Sequence, residues 1–262
     1  MSLNRTRPRY LSGVTNNGMT EDTKAEKAVF EKQTEMHPRF WTAEGGLVEG
    51  LQGKLLAIVA KYAAYLKLPA AIKFKDIVFT GSLAGYNYTD YSDVDIHLIV
   101  DYKAVSDDEE FAGNYFRAMK DLWAESHEVT VFGYPVELFA QDVEQAVSSP
   151  GASYSLINLK WVKEPENPPV TIDRERVLRK AESIQEIIDD LLDEEPSEEL
   201  LVDIEALKKR IRDMRSAALA KGGEFAPENL AFKVLRNNGY LEKLLQLNKI
   251  TQETLLSVDE GI

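Results

Sequence analysis

Cysteine is absent from this chain of 262 residues, which excludes disulfide bonds, thiolate zinc sites and cysteine nucleophiles. Histidine is scarce: His37, His97 and His127 lie far apart in the sequence, so a bound metal would be held mainly by oxygen ligands. No apolar run approaches the roughly 20 residues that a membrane-spanning helix needs. The first residues also lack the apolar middle of a signal peptide, so we expect a cytoplasmic protein with no membrane partner.

Positive charge is in short supply overall. The chain has 44 acidic and 31 basic residues and a net charge of -13, which disfavours broad coating of duplex DNA. The shortage is regional: residues 181–207 contain eleven acidic residues and no lysine or arginine, whereas residues 208–249 contain ten basic and four acidic residues. An RNA end is therefore compatible with the charge pattern, and a broad duplex surface is not.

Hydrophobic periodicity predicts an α/β (α+β) fold, with a small mixed sheet and flanking helices followed by a helical domain. The predicted helices cover residues 47–66 and 107–125, and the predicted strands cover 76–80, 94–100, 128–132 and 136–140. Three prolines within 164–169 indicate a linker, and apolar stripes beyond it predict three helices, the third at 227–247. We therefore divide the chain into a polar leader or arm (1–28), an α/β core (29–163) and a C-terminal helical domain (164–262).

The residues with the strongest chemical signal lie at the ends of predicted strands. Asp93 and Asp95 flank Val94, so alternation along a strand places both carboxylates on one face, about 7 Å apart. Two carboxylates on one face favour a cation between them, and a pair of Mg²⁺ ions held this way promotes in-line displacement at phosphorus; Mn²⁺ is an alternative. Glu137, within an apolar run, is the candidate third carboxylate. It would hold the metal beside the attacking hydroxyl and help to remove its proton.

Two further groups are candidate phosphate ligands. Gly81 and Ser82 follow the first predicted strand, where glycine lets the backbone approach a triphosphate and the serine hydroxyl and following amides can donate hydrogen bonds to it. Lys233 and Arg236 are three residues apart and share a helix face, from which they could reach phosphates on the opposite side. An exposed basic face is the equally weighted alternative for this second pair.

These residues carry a family resemblance. The segments "TGSLAGYNYTDYSDVDIHLIVD" and "YPVELFAQD" resemble the nucleotidyltransferase superfamily typified by DNA polymerase beta, in which Gly-Ser is followed by Asp-apolar-Asp. Within it, the chain is similar to nucleotidyltransferase-like proteins of large tailed bacteriophages, also over "SSPGASYSLINLKWV" and "PENLAFKVLRNNGYLEKL". The resemblance implies that Gly81 and Ser82 bind triphosphate and that Asp93, Asp95 and Glu137 bind metal. Many members have Asp where this chain has Glu137.

The sequence thus predicts an enzyme that transfers a nucleoside monophosphate from an NTP, ATP in the first place, to an acceptor and releases pyrophosphate. Three acceptor classes stay open: a small molecule such as an aminoglycoside, a protein side chain, or an RNA end. A phage-encoded protein would act in the host cytoplasm. The alternative is a non-catalytic nucleotide-binding or structural protein built on the same fold.

Two neighbouring features have open interpretations. His97 shares the strand face of Asp95 and could relay protons there, although a histidine with satisfied hydrogen bonds beneath the carboxylates is the favoured explanation. Tyr86, Tyr88 and Tyr91 could stack on a base or pack their loop against the core, with equal weight.

Overall fold

The computed structural model describes residues 24–147, 151–167 and 169–257. In chain order its helices are α1 (Lys24–Phe30), α2 (Leu51–Tyr65), α3 (Tyr102–Val105), α4 (Glu109–Ser126), α5 (Val143–Val147), α6 (Arg174–Leu192), α7 (Glu198–Gly222), α8 (Pro227–Asn237) and α9 (Tyr240–Leu256). Its strands are β1 (Asp76–Thr80), β2 (Val94–Val100), β3 (Thr130–Val131), β4 (Tyr134–Asp142), β5 (Ser153–Ser155) and β6 (Lys160–Lys163). The predicted α/β class, with a mixed sheet followed by a helical region, is confirmed.

All six strands form one sheet in the order β3-β4-β2-β1-β5-β6. The central strand β2 pairs antiparallel with β1 and parallel with β4, so the sheet is mixed. The connection from β2 to β4 contains α4, because parallel neighbours need a crossover. Parallel pairing brings the starts of β2 and β4 to the same edge of the sheet.

The sheet and the helices α2 and α4 enclose a first hydrophobic core. The β2 residues Val94, Ile96 and Leu98 are almost fully buried, as expected for a central strand that is covered on that face. Trp41 stacks on Phe79 of β1 with ring centroids 5.3 Å apart, which ties the segment before α2 to the sheet. Burial of these large side chains holds β1 and β2 in one position relative to each other.

A second hydrophobic core lies among the C-terminal helices. The side chains of Asp173 and Ser197 cap α6 and α7. They accept hydrogen bonds from the backbone amides of Arg176 and Leu200, respectively. Val29 of α1 also belongs to this second core, and it is 4% exposed. The predicted boundary at residue 28 therefore falls within a helix that packs on the C-terminal helices; the rest of the predicted leader, 1–23, lies outside the described residues.

Three local findings bear on the predicted elements. The predicted helix 227–247 is two helices, because Gly239 adopts a left-handed conformation with φ 75° and α9 starts anew from it.

The predicted strand 128–132 shortens to Thr130–Val131, and β4 begins at Tyr134, so the turn falls at Phe132 and Gly133. None of the helices in the described part of the chain combines the length and apolar character needed to cross a membrane.

Candidate active site

The three predicted carboxylates lie at the edge where β2 and β4 start. In the parallel pairing, Asp95 is the direct cross-strand partner of Glu137, and Asp93 lies two residues before Asp95 on the same side. Val94 and Ile96 point into the core, with exposed fractions of 0% and 1%, which fixes the acidic residues on the opposite face. We call Asp93, Asp95 and Glu137 the carboxylate face.

Gly81 lies against this face for a steric reason. Its φ of 78° is in the left-handed region, and a β-carbon placed on it would stand 1.8 Å from Oδ2 of Asp95. Only glycine therefore fits between the end of β1 and the carboxylate. The need for glycine here comes from the carboxylate of Asp95, and the role of Gly81 in triphosphate binding stays a prediction.

Lys120 and Arg236 supply positive charge to the carboxylate face. The ammonium of Lys120, from α4, lies 2.8 Å from Oε2 of Glu137. The guanidinium of Arg236, from α8, donates to Oδ2 of Asp93 at 3.3 Å and to the carbonyl of Tyr91 at 3.3 Å. Glu137 lies within an apolar run of the sequence, where an unpaired charge was expected to be costly, but 47% of its side chain is accessible and it pairs with Lys120.

Burial, together with crowding of like charges, perturbs the carboxylates. Burial, followed by the nearby charges of Glu137 and Asp93, raises the pKa of Asp95 from 3.8 to about 7. Burial also raises the pKa of Asp93, and the charge of Arg236 partly opposes this shift. Two acids with raised pKa values side by side form an arrangement that a bound cation would stabilise.

Helix α8 brings both predicted phosphate ligands to this region. Lys233 donates to the carbonyl of Asn87 at 3.2 Å, and burial lowers its pKa from 10.5 to about 8. The amide of Asn87 in turn donates to Glu224 at 2.6 Å, which ties the loop between β1 and β2 to the segment before α8. Lys233 and Arg236 therefore lie against the loop and the carboxylate face, whereas an exposed basic face would leave them free of the sheet.

Arg215 of α7 adds a third cation. Its guanidinium lies 4.3 Å from the ring centroid of Phe232. Partial enclosure by the protein, and then the charge of Arg236, lower its pKa, while Glu224 and the acids of the carboxylate face oppose that shift. We call Arg215, Lys233 and Arg236 the cationic face.

Sequence reasoning missed Lys120 and Arg215. Each stands four residues after a buried apolar residue of its own helix, Phe116 and Ile211 respectively. A basic residue at that spacing lies near the core-facing side of a helix, so this periodicity could have identified both.

Ser82 is placed differently from the prediction. It begins a single 3₁₀ turn, Ser82–Ala84, and not a longer helix. Its hydroxyl makes a 2.7 Å hydrogen bond with the hydroxyl of Ser92, a residue that is 2% exposed. A ligand would have to compete with Ser92 for this group.

The tyrosines of the same loop divide between packing and exposure. Tyr88 packs on His37 with ring centroids 4.9 Å apart, and Tyr91 is 39% exposed. Tyr86 lines a cavity of about 580 Å³ together with Trp41 and Trp161, and none of the predicted site residues lines that cavity. The structure thus assigns Tyr88 to packing and leaves Tyr91 accessible beside Arg236.

His97 forms a hydrogen bond through Nδ1 with Oε1 of Gln141 at 2.7 Å. Burial lowers its pKa. Both observations agree with the favoured explanation of a histidine that is satisfied within the sheet beneath the carboxylates.

The carboxylate face has suitable donor chemistry for Mg²⁺ or Mn²⁺, because all three side chains offer oxygen and lie on two paired strands. Lys120 and Arg236 occupy positions beside Glu137 and Asp93 where positive charge is favourable. Across the described ranges, no three His, Cys, Asp or Glu side chains are grouped closely enough to hold an ion as they stand. A metal bound at the carboxylate face would compete with Lys120 and Arg236 for Glu137 and Asp93.

Scans of the chain against protein-family models, curated proteins and solved structures found no match in any of the three. The functional proposal therefore depends on the residues and geometry described above.

Proposed function

We propose that this chain is a metal-dependent nucleotidyltransferase of the DNA polymerase beta type. It transfers a nucleoside monophosphate from an NTP, ATP in the first place, to an acceptor and releases pyrophosphate. The acceptor is a small molecule, a protein side chain or an RNA end. We further propose a cytoplasmic location, in the host cell if the chain is phage-encoded, which suits a sequence without cysteine.

The pairing of Asp95 with Glu137 across β2 and β4, with Asp93 on the same face, carries this proposal. Asp95 and Glu137 are distant in the sequence, yet the parallel register makes them direct neighbours. A solvated acidic turn would not place a third carboxylate beside the first two. The steric fit of Gly81 against Asp95 supports the same assignment.

Each residue would have a distinct part in the transfer. Asp93, Asp95 and Glu137 would hold the metal, which when bound neutralises phosphate charge and favours ionisation of the acceptor hydroxyl. The acceptor oxygen attacks the α-phosphorus while the bond to the β-phosphate oxygen breaks, and pyrophosphate leaves. Lys233 and Arg236 would stabilise the charge on that leaving group, since positioning and charge neutralisation dominate such reactions.

A second candidate function follows from the two ion pairs. In the protein without a ligand, Lys120 pairs with Glu137 and Arg236 pairs with Asp93, so the carboxylate charges are partly neutralised. A protein that uses the fold only to bind nucleotides, or as a structural component, could keep these pairs permanently. Catalysis requires that they open.

Incubation with each α-labelled NTP, Mg²⁺ or Mn²⁺, and a cell extract tests the proposal. We expect label to enter one class of acceptor, and Asp95→Asn to lower incorporation by at least about 100-fold, because a metal ligand acts on the transition state. Separation of labelled protein, RNA and small molecules identifies the acceptor.

Asp107→Asn is the matched control, because Asp107 is exposed and lies outside the carboxylate face. It should retain full incorporation. Tight NTP binding without incorporation into any fraction would support the non-catalytic alternative, and undiminished activity of Asp95→Asn would contradict the proposed site.

A further inference from the structure

The antiparallel hairpin of α6 and α7 has two ends of opposite charge. The first turns of α6 carry Arg174, Arg176, Arg179 and Lys180. Helix α7 carries basic residues from near its middle, at Lys208, toward its C-terminal end. Seven of the eleven acidic residues within 181–207 lie at the other end, around the turn between the helices (Asp189, Asp190, Asp193, Glu194, Glu195, Glu198 and Glu199), and the remaining four lie along the helices. The basic end is the one that adjoins α8, since Arg176 and Lys180 both contact Glu228.

A cavity of about 420 Å³ lies at this basic end, between α6 and α7. Four of its seven lining residues are cations: Arg176, Arg179, Lys180 and Arg210. The others are Ser183, Ile184 and Met214, so none of the carboxylates in the described ranges lines the cavity. We call this the basic cavity.

Neighbouring acids balance only part of its charge. Glu228 is shared by Arg176 at 3.4 Å and Lys180 at 3.1 Å. Arg179 reaches Glu175 at 3.5 Å, but both side chains are about two-thirds exposed or more, so this pair contributes little. Within the described part of the chain, Arg210 forms no ion pair. The cavity therefore has an excess of positive charge that a bound anion would offset.

The acidic end of the hairpin does not cancel this excess. Most of the acids lie from Asp189 onward, at least nine residues or about 13 Å along α6 from Lys180. Glu182 and Glu186 lie nearer, but neither lines the cavity. The Debye length at physiological salt is about 8 Å, so the acidic turn is largely screened from a ligand in the basic cavity. A net charge of -13 is thus compatible with local binding of a polyanion.

The basic cavity also adjoins the cationic face. Met214 lines the cavity, and the next residue, Arg215, interacts electrostatically with Asp95 and Glu137. Helix α8 connects the two regions as well, because Glu228 lies at its start and Arg236 near its end. Glu228 and Arg236 are eight residues apart, about 12 Å along α8, so the two regions are separated by more than one phosphate group could span.

We propose that the basic cavity binds the phosphate backbone of single-stranded RNA, whose end reaches the carboxylate face as the acceptor. This inference rests on the proposed function and selects RNA among its three acceptor classes. A row of separate cations fits successive phosphodiesters, and guanidinium groups form paired hydrogen bonds with phosphate oxygens. The small size of the cavity disfavours duplex binding.

Binding of a fluorescently labelled, mixed-sequence single-stranded RNA to the full chain, measured by anisotropy in EDTA without NTP, tests this inference. The double variant Arg179→Ala/Arg210→Ala should weaken binding about tenfold or more. Its affinity should also depend less steeply on salt, by roughly 0.7 in log-log slope for each phosphate that the variant no longer binds. Both residues are exposed, so the fold should be retained, which circular dichroism checks.

Lys208→Ala/Lys209→Ala is the matched control. It removes the same charge from the chain at residues of α7 that pair with Glu205 and Asp213 and do not line the cavity. Less than a twofold change in RNA affinity is expected. An equal loss in both double variants would show attraction by overall charge only and overturn the inference, as would wild-type binding too weak to measure at about 50 mM salt.

Two further measurements are needed. ATP binding distinguishes free nucleotide from RNA as the ligand of the basic cavity, and label transfer distinguishes the RNA inference from the proposed function. If Arg179→Ala/Arg210→Ala weakens ATP binding as much as RNA binding, the cavity takes free nucleotide and the RNA assignment is wrong. Because the RNA assay contains no metal or NTP, RNA binding without label transfer would contradict the proposed function, and with it the acceptor role of the RNA, but not RNA binding by the basic cavity. Label transfer that is unaffected by removal of the cavity's arginines would contradict only the RNA inference.

Discussion

On one side of the candidate site, burial and the like charges of Glu137 and Asp93 raise the pKa of Asp95 to about 7. On the other side, burial lowers the pKa of Lys233 to about 8; Glu224 opposes this shift, and Arg236 and Arg215 add to it. Both shifts have burial as their largest cause and disfavour the charged form. The two faces nevertheless differ in construction. The carboxylate face depends on strand register, whereas the cationic face depends on how α7 and α8 pack against the sheet.

Without a ligand, the charged form of the buried group on each face lowers the stability of the fold. The effect increases with rising pH on the carboxylate face and with falling pH on the cationic face. A negative group with a raised pKa destabilises the fold as pH rises, and a positive group with a lowered pKa destabilises it as pH falls. One contact, Arg236 with Asp93, joins the faces directly. A ligand that brought both cation and anion to the site would relieve both.

The largest expected effect comes from placing a side chain at Gly81, whose β-carbon would overlap the carboxylate of Asp95. Gly81→Ala should lower the free energy of unfolding on the order of 3 kcal/mol and abolish transfer, because the new β-carbon overlaps the carboxylate and φ is unfavourable. Gly133→Ala is the matched control: Gly133 also has positive φ, at 90°, but no atom lies within 4 Å of the position that its β-carbon would take. It should cost about 1 kcal/mol. Equal losses in urea unfolding would contradict a steric role for Gly81.

The next effect tests the carboxylate face through pH. The pKa of Asp95 is higher in the folded chain than its usual 3.8, so the native state binds the proton more tightly and stability falls as pH rises from about 4 to 7. Asp95→Asn removes this loss. In EDTA it should be more stable than the wild type on the order of 2 kcal/mol at pH 8 and nearly equal at pH 4. A difference that does not change with pH in thermal unfolding would contradict the assignment.

The smallest effect tests the cationic face. The pKa of Lys233 is about 8 in the folded chain against 10.5 ordinarily, so wild-type stability should increase as pH rises from 8 to 10.5. Lys233→Met should lack this increase and be more stable by about 1 kcal/mol at pH 7. Lys249→Met, on an exposed part of α9, is the control and should show no such change. If stability depends on pH in the same way in the wild type and in Lys233→Met, Lys233 does not have a lowered pKa in the folded chain.

Parts of the fold were predictable because they depend on local pattern. The buried β-branched runs at 76–80 and 94–100 form strands with those bounds, since alternation and burial are both readable in sequence. The long C-terminal helix was wrongly predicted as one, because its apolar stripe continues past Gly239 while the backbone there turns left-handed. Strand β3 is shorter than its sequence pattern because Phe132 and Gly133 both take positive φ and make the turn earlier.

The sequence by itself determined the chemical inventory of the candidate site: no thiolates, scattered histidines, Asp93 and Asp95 on one face, and basic residues concentrated after residue 207. Only the tertiary structure decided which groups meet. Parallel pairing set Glu137 beside Asp95, and packing of α4 and α8 delivered Lys120 and Arg236 to the carboxylates. It also placed the acidic and basic halves of the hairpin at opposite ends. Local spacing encodes the face of a strand or helix, whereas contacts between distant segments arise from shared burial, which no single stretch of sequence contains.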